Sequence, residues 1–304
     1  MVIRDADTAA RHAPVRVAIL INNTYEADAR AWKTAESLGQ AGYAVTVIAR
    51  WGAGLATTEK LEHHTVTRIR QPQPLSWLPA PGLPETGDDP HGRLGGLRRR
   101  VRDTIGRGIQ AVRYLRMSRA WSTVIAEQVD AFDVWQAESV ITLSLAVSLR
   151  KHFGGIVVYD ANDIDSEAGR MARLPGPWKQ LLRRHEKRLA RAADAVVTVS
   201  DPYAQILQRV LGRPVDAVVR NAAIVDDLEA EVRPADVART DRFHELFDLP
   251  EDHRVVLYIG QVMRGRGLRQ LFEAISLVDD AELVVAGFGA DYERYRTIAA
   301  ALPH

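Results

Sequence analysis

"YIGQVMRGRGLRQLF", residues 258–272, is the stretch on which the fold turns. It continues an apolar run, Val255 to Ile259, that is short, β-branched and aromatic and stops at Gly260. Such a run reads as a buried strand. Leu268, Leu271, Phe272 and Ile275 then recur at i, i+3, i+4 and i+7, the spacing of one helix face. Between strand and helix lie Arg264 and Arg266, set among Gly265 and Gly267. A strand, a glycine loop and a helix together place free backbone N–H groups and the positive helix end at the strand's carboxyl edge, where an anion is stabilised. The planar forks of Arg264 and Arg266 match phosphate oxygens. The letters form neither a Walker loop, which needs Gly-Lys-Ser/Thr, nor G-x-G-x-x-G. An ordinary strand–helix turn with solvated arginines satisfies them equally.

Upstream, the same strand-then-helix rhythm repeats. Strand-like runs lie at 15–21, 44–49 and 64–70, and again in "FDVWQA", "GIVVYDA", "DAVVTVS" and at 216–221. Residues 28–42 have a helical pattern that ends on Gly42, a natural helix stop. Alternating βα units with apolar strands predict a parallel, doubly wound sheet covered by helices on both faces. Asp226, Asp227, Glu229 and Glu231 before Pro234 mark a change of composition. The expected division is a leader at 1–14, a first Rossmann-like domain at 15–222 and a second at 223–304. The second offers only two strands, "VVLYI" and "ELVVA", and is expected to be incomplete.

A chain of 304 residues is long enough for about two domains. Hydrophobic content of 46% with 26% charged residues fits a soluble globular protein. A net charge of +1 supplies no global field toward nucleic acid, so any basic function is local. The absence of cysteine excludes disulfides and thiolate metal sites. No apolar run is long enough to span a membrane, and residues 1–14 lack the apolar core of a signal peptide. The nine histidines show no H-x3-H or H-E-x-x-H spacing. His63 and His64 are expected on opposite faces of a strand, so no metal is expected. The first strand runs into "INNTYEADAR", which is no dinucleotide fingerprint.

One region breaks the rhythm. Residues 71–92 are rich in proline and read as a loop. Residues 93–119 carry nine arginines against Asp103, with apolar residues from Leu94 to Met117 at helical spacing. Residues 170–191 hold eight positive residues against Glu186. A basic amphipathic helix is either a solvated surface helix or a dock for anionic lipid headgroups. With little aromatic interleaving, a nucleic-acid partner is not expected.

Asp160, Asn162, Asp163 and Glu167 cluster in one strand-to-helix turn, at the sheet edge where open α/β sheets bind ligands. Turn chemistry and helix capping favour the same residue types. Asp28 and Arg30 follow the first strand, where Asp28 suits a helix cap and Arg30 either a cleft or a local pair. Glu138, ending "VWQAE", is a further candidate at the same edge.

Together these motifs resemble the GT-B architecture and, in detail, family 4 retaining glycosyltransferases, also called glycosyltransferase group 1. "DARAWKTAESLGQAGYAVTVIA" is similar to that family's opening pattern, "VVYDANDIDSE" to its mid-domain loop, and "RAADAVVTVSD" and "VVRNAA" to later strand and hinge signatures. "VVLYIGQVMRGRGL" resembles its donor-phosphate loop and "AELVVAGFGADYE" its glycine turn. The resemblance spans about residues 15–293. Two departures stand out: the family's loop arginine falls on Gln261 and its lysine on Arg266, and its sugar-facing histidine falls on Asn162. Its E-x7-E motif is not found in the chain.

The resemblance implies a retaining hexosyltransferase that uses a nucleoside-diphosphate sugar, with no metal and no cofactor. Donor contacts fall on Gly260, Gln261, Arg264, Arg266, Gly267, Gly287 and Gly289. Catalytic contacts fall on Asn162, Asp163 and Arg266, and acceptor-side contacts on Asp28, Arg30 and Glu138. The acceptor would be a glycan, a lipid or a small molecule. A cytoplasmic location follows, peripheral on the inner face of the plasma membrane where the basic helix docks. Two alternatives stay open: a non-catalytic or split subunit needing a partner to complete the donor site, and a sugar-nucleotide epimerase of the same fold.

Overall fold

The computed structural model describes residues 13–73, 116–167, 176–222 and 242–302. The leader up to residue 12, most of the proline-rich loop, residues 93–115 of the basic helix and the boundary segment near 223–235 lie outside the described residues. The chain divides into two compact units, Met1–Ile224 and Val225–His304.

The first unit runs β1 (Arg16–Leu20), α1 (Ala29–Gln40), β2 (Ala44–Arg50), β3 (Thr58–Lys60), β4 (His64–Ile69), a helix α2 described over 116–126, β5 (Val134–Ala137), α3 (Val140–Phe153), β6 (Ile156–Ala161), a short 3-10 turn (Asp165–Glu167), α4 (Gly176–Ala192), β7 (Ala195–Thr198), α5 (Asp201–Leu211) and β8 (Ala217–Val218). Its eight strands form one sheet in the order β3-β4-β2-β1-β5-β6-β7-β8. All pairings are parallel except β3 with β4. The expected doubly wound sheet is therefore present. The antiparallel edge strand β3 was not foreseen, because "TEK" carries no apolar alternation.

Two-residue periodicity splits the core between the faces of the sheet. Ala18 and Leu20 of β1, Trp135 and Ala137 of β5, and Val157, Tyr159 and Ala161 of β6 join Trp121, Leu143, Leu189 and Leu207 from the helices in one cluster. Val17, Ile19, Val45, Val47 and Val66 face the other way, against Ala31 and Ala35 of α1. Met117 packs against the first cluster, and Trp121 and Ile125 are fully buried within it. The described end of the basic helix thus extends to residue 126 and packs Met117, Trp121 and Ile125 on the protein core. Glu186, read as an acid among the charges of α4, is also buried, and its Oε1 accepts from Tyr159 Oη at 2.9 Å.

The second unit runs α6 (Arg242–Phe247), β9 (Arg254–Ile259), α7 (Leu268–Ile275), β10 (Ala281–Ala286) and α8 (Tyr292–Ala299). β9 and β10 pair in parallel as a two-stranded sheet. Its core joins Val262, Leu268, Phe272 and Tyr295, with Phe272 and Tyr295 stacked at 5.7 Å. The strand expected at 255–259 is there, but it is not buried: Ile259 is 75% exposed, and Val256 and Leu257 are exposed as well. A two-stranded sheet offers too little surface to cover both of its faces.

Candidate functional site

Strand order creates the site in the first unit. β1 feeds α1 on one face of the sheet, β5 feeds α3 on the other, and the two strands are neighbours. Where crossovers diverge in this way the carboxyl ends open a crevice. The ends of β1, β5 and β6 bring Asn22, Asn23, Glu138, Ser139, Asn162, Asp163 and Asp165 around a cavity of about 290 Å³. Of the sequence candidates, Glu138, Asn162 and Asp163 meet here. Asn22, Asn23, Ser139 and Asp165 were missed, although the first two follow directly on β1.

Several of these groups have fixed tasks. Ser139 caps α3 in a reciprocal box with Thr142. Asp165 reaches the same helix from outside, accepting from the Val140 N–H at 2.5 Å. Asp28 caps α1, accepting from the Ala31 N–H at 3.0 Å and from Asn23 Nδ2 at 2.6 Å. Glu167 pairs with Lys179 at 3.1 Å and with Arg183. Other groups stay open. Asn162 Oδ1 and Glu138 Oε1 are shut off from solvent and accept no hydrogen bond. Burial, reinforced by the carboxylates of Asp28 and Asp160 and only partly offset by Arg30, pushes the Glu138 carboxyl up to about 8. At neutral pH it is a neutral acid that can donate a proton in a hydrogen bond.

Arg30 is engaged within the fold. Its Nη2 meets Asp160 Oδ1 at 2.6 Å, its Nε meets Oδ2 at 3.2 Å, and its Nη1 donates to the Val219 carbonyl at 3.2 Å. With side chains 10% and 5% exposed, the pair ties α1 to β6 and to the end of β8. Gln136 Nε2 adds a bond to Asp160 at 3.3 Å. Burial raises the Asp160 carboxyl even so, against the pull of Arg30.

His63 and His64, expected on opposite faces, instead flank one carboxylate: their rings lie 3.5 and 3.4 Å from the two oxygens of Glu36. His63 sits in the turn before β4, so the strand pleat does not govern it. His64 Nε2 meets the Tyr25 hydroxyl at 2.7 Å. Among the described residues no three His, Asp or Glu side chains are grouped to hold a metal ion. Among the same residues no helix is long and apolar enough to cross a membrane.

In the second unit the loop between β9 and α7 lies directly against the loop after β10. Val262 N–H donates to Phe288 O at 2.8 Å and Asp291 N–H to Val262 O at 3.2 Å. Two glycines allow this approach: a Cβ on Gly287 would stand 1.8 Å from Gly260 O, and one on Gly289 2.3 Å from Val262 O. Gly267, at φ 76°, occupies the N-cap of α7 and offers no side chain to it. Asp291, at the N-cap of α8, caps nothing there; its carboxylate accepts from the Arg264 N–H at 2.8 Å and lies 3.7 Å from that guanidinium. Arg266 is exposed and pairs with no carboxylate among the described residues. Gln261 is exposed too, with its carbonyl held by Tyr258 Oη at 2.8 Å. The first turn of α7 and one unpaired guanidinium are thus both open to an anion.

The sequence profile described as Glycosyltransferase Family 4 matches residues 29–222, more than half of the chain. No curated protein sequence matches it. Among solved structures, sucrose-phosphate synthase from Thermosynechococcus elongatus is 15% identical with a TM-score of 0.59, covering 94% of this chain and 67% of that one. HepE from Anabaena, solved with UDP and glucose, is 14% identical with a TM-score of 0.55, covering 94% and 65%. A protein from Listeria monocytogenes described as a putative UDP-N-acetylglucosamine 2-epimerase is 13% identical with a TM-score of 0.50, covering 96% and 67%. The chain therefore spans about two thirds of the length of these proteins. At such identities the likeness establishes the fold, which is GT-B.

Proposed function

The chain belongs to glycosyltransferase family 4, and on that premise we propose that it takes part in moving a sugar from a nucleoside diphosphate to a hydroxyl acceptor, with retention at the anomeric carbon. The observation that carries this reading is the uncapped first turn of α7 behind a glycine loop, with Arg266 beside it paired to no carboxylate among the described residues. The donor diphosphate sits on Gly260 to Gly267 and on the backbone N–H groups that open α7. Arg266 neutralises the charge that develops on the leaving diphosphate as the glycosidic bond breaks, and Arg264 adds to it from its looser place beside Asp291. Gln261 contributes a neutral donor. Gly287 and Gly289 let the second loop close against the first. No step needs a metal ion, because the guanidinium and the helix end supply the positive charge.

On the acceptor side, Asn162 and Asp163 accept hydrogen bonds from sugar hydroxyls, and Glu138 donates one. Asp28 and Arg30 act by holding the frame, through α1 and through Asp160. A cytoplasmic location with peripheral attachment to an anionic membrane is part of the proposal, supported by the exposed Arg184, Arg188 and Arg191 on α4.

Calorimetric titration with UDP and with GDP tests the donor half. Arg266→Ala should weaken the tighter nucleotide by roughly tenfold, the effect of one charge-assisted hydrogen bond. Arg50→Ala, at the exposed end of β2, serves as the control. Equal losses from the two substitutions would sink the loop assignment. Product analysis then separates transfer from epimerisation: a new glycoside supports the first, an epimeric sugar nucleotide the second.

A further inference from the structure

We propose that the cavity framed by Asn22, Asn23, Glu138, Asn162 and Asp163 takes a neutral or ammonium-bearing polyol of about one sugar ring and turns away phosphate- or carboxylate-bearing groups. That this polyol is the acceptor rests on the glycosyl-transfer reading; that it binds here rests on the cavity itself.

Size sets the first limit. A volume of about 290 Å³ lies at the small end of ligand pockets, which suits a single ring rather than a disaccharide. Charge sets the second. Among the described residues, the lining carries Glu138, Asp163 and Asp165 and no lysine, arginine or histidine. The cation that acts on Glu138 is Arg30, and its guanidinium is already engaged by Asp160 and the Val219 carbonyl. A phosphate placed here would face the exposed carboxylate of Asp163, with no free cation among the described lining residues to offset it.

Hydrogen-bond chemistry sets the third limit. The unsatisfied buried atoms, Asn162 Oδ1 and Glu138 Oε1, are acceptors, and Asp163 is an exposed carboxylate. Buried acceptors are costly until a donor reaches them. Hydroxyls and an ammonium group bring donors, whereas a phosphate dianion brings almost none. An ammonium gains most beside Asp163, which pairs with no basic side chain among the described residues. Glu138, held as a neutral acid by burial, returns one donated hydrogen bond to a ligand oxygen.

The test uses the whole chain and three single-ring probes that carry a positive, no and a negative charge, D-glucosamine, D-glucose and D-glucose 6-phosphate, compared by saturation-transfer NMR at about pH 6.5, where the amine is charged. Glucosamine should bind about fivefold tighter than glucose, and glucose 6-phosphate should give no signal. Asp163→Asn should bring glucosamine to the affinity of glucose. Asp163→Lys, a change at an exposed position, should admit glucose 6-phosphate. The proposal falls if wild type binds glucose 6-phosphate as well as glucosamine, if it binds none of the three, or if Asp163→Asn leaves the preference intact. UDP titrated in parallel reports on the loop of the second unit. Failed sugar probes with UDP bound condemn the cavity assignment alone. Failed UDP binding with glucosamine bound condemns the glycosyl-transfer reading alone.

Discussion

The two units treat their strand-to-helix turns in opposite ways. In the first, side chains cap three of the helices that leave the sheet edge: Asp28 on α1, Ser139 on α3 and Ser200 on α5. In the second, Gly267 cannot cap α7, and Asp291 turns its carboxylate to Arg264 instead of to α8. The N–H groups of Ala31, Val140, Thr142 and Tyr203 in these first turns thus bond side chains of the same unit, and the side chains its crevice presents are mostly acceptors. The second unit leaves backbone donors and an arginine facing outward. One fold plan thus yields an edge lined by side-chain acceptors and another with open backbone donors beside an arginine. The units also differ in mass of core. An eight-stranded sheet packed on both faces stands against two strands with Ile259 75% and Leu277 83% exposed.

The sharpest way to break this contrast is Gly287→Ala. The added Cβ would fall 1.8 Å from Gly260 O, a backbone atom that cannot move aside without parting the two loops. The expected outcome is loss of amide protection across β9 and β10, with β1 and β7 still protected. If all four strands lose protection together, the units do not fold as separately as their cores imply.

A second test lies within the first unit. Arg30→Ala leaves Asp160 buried with Gln136 as its remaining side-chain partner among the described residues. Removing one member of a buried ion pair costs about 3–5 kcal/mol. The urea midpoint of the first unit should fall accordingly while that of the second stays fixed. A loss under about 1 kcal/mol would mean that Asp160 simply takes up a proton, as its raised pKa allows.

Much of this plan was legible in the letters, for a physical reason. Parallel strands covered on both faces are runs of β-branched residues, and "AVTVIA" and "GIVVYDA" carry that mark without help from neighbours. The glycine turns were legible too, because positive φ and close approach leave few other residues possible. What the letters hide is adjacency. Arg30 and Asp160 are 130 positions apart, and only the strand order brings α1 to the end of β6. Asn22 and Asn23 come to the same cavity as Glu138 because β1 and β5 are neighbours. Asp165 caps a helix that begins 25 residues before it, a role no local pattern reveals. The thin second sheet was legible in the letters: two strands, "VVLYI" and "ELVVA", were there to pair, and β9 has β10 as its one strand neighbour among the described residues.

The pH dependence of the first unit offers a third, smaller test. The Glu138 carboxyl is raised to about 8 in the folded chain, above its ordinary value of 4.5. Between these values the folded state binds a proton that the unfolded state has released, so stability falls as pH rises. Glu186, raised to about 7 by burial, acts in the same direction. Above about pH 6.5, where the burial-lowered His64 and His185 no longer act the other way, urea midpoints should therefore drop toward pH 8, and Glu138→Gln should flatten part of that slope. A slope that is identical in the variant would show that Glu138 ionises freely in the fold and is no hydrogen-bond donor at neutral pH.

The smallest effect tests the capping contrast directly. Ser200 Oγ accepts from the Tyr203 N–H at 3.4 Å, and Ser200→Ala should destabilise the first unit by about 1 kcal/mol. Inorganic pyrophosphate should not recover that loss, because the turn before α5 presents Asp201 at its first position and repels an anion. The same pyrophosphate should slow amide exchange at 268–270 in the wild-type chain, where the first turn of α7 has no cap and Leu271 is the first amide to bond back, to Gly267 O at 2.9 Å. The predicted pattern is protection at α7 and none at α5, with or without Ser200. Protection at both helix starts would mean that any exposed turn attracts the anion, and the difference between the two edges would then carry no function. Protection at neither would leave Arg266 as an ordinary solvated residue and remove the physical basis for a phosphate site in the second unit.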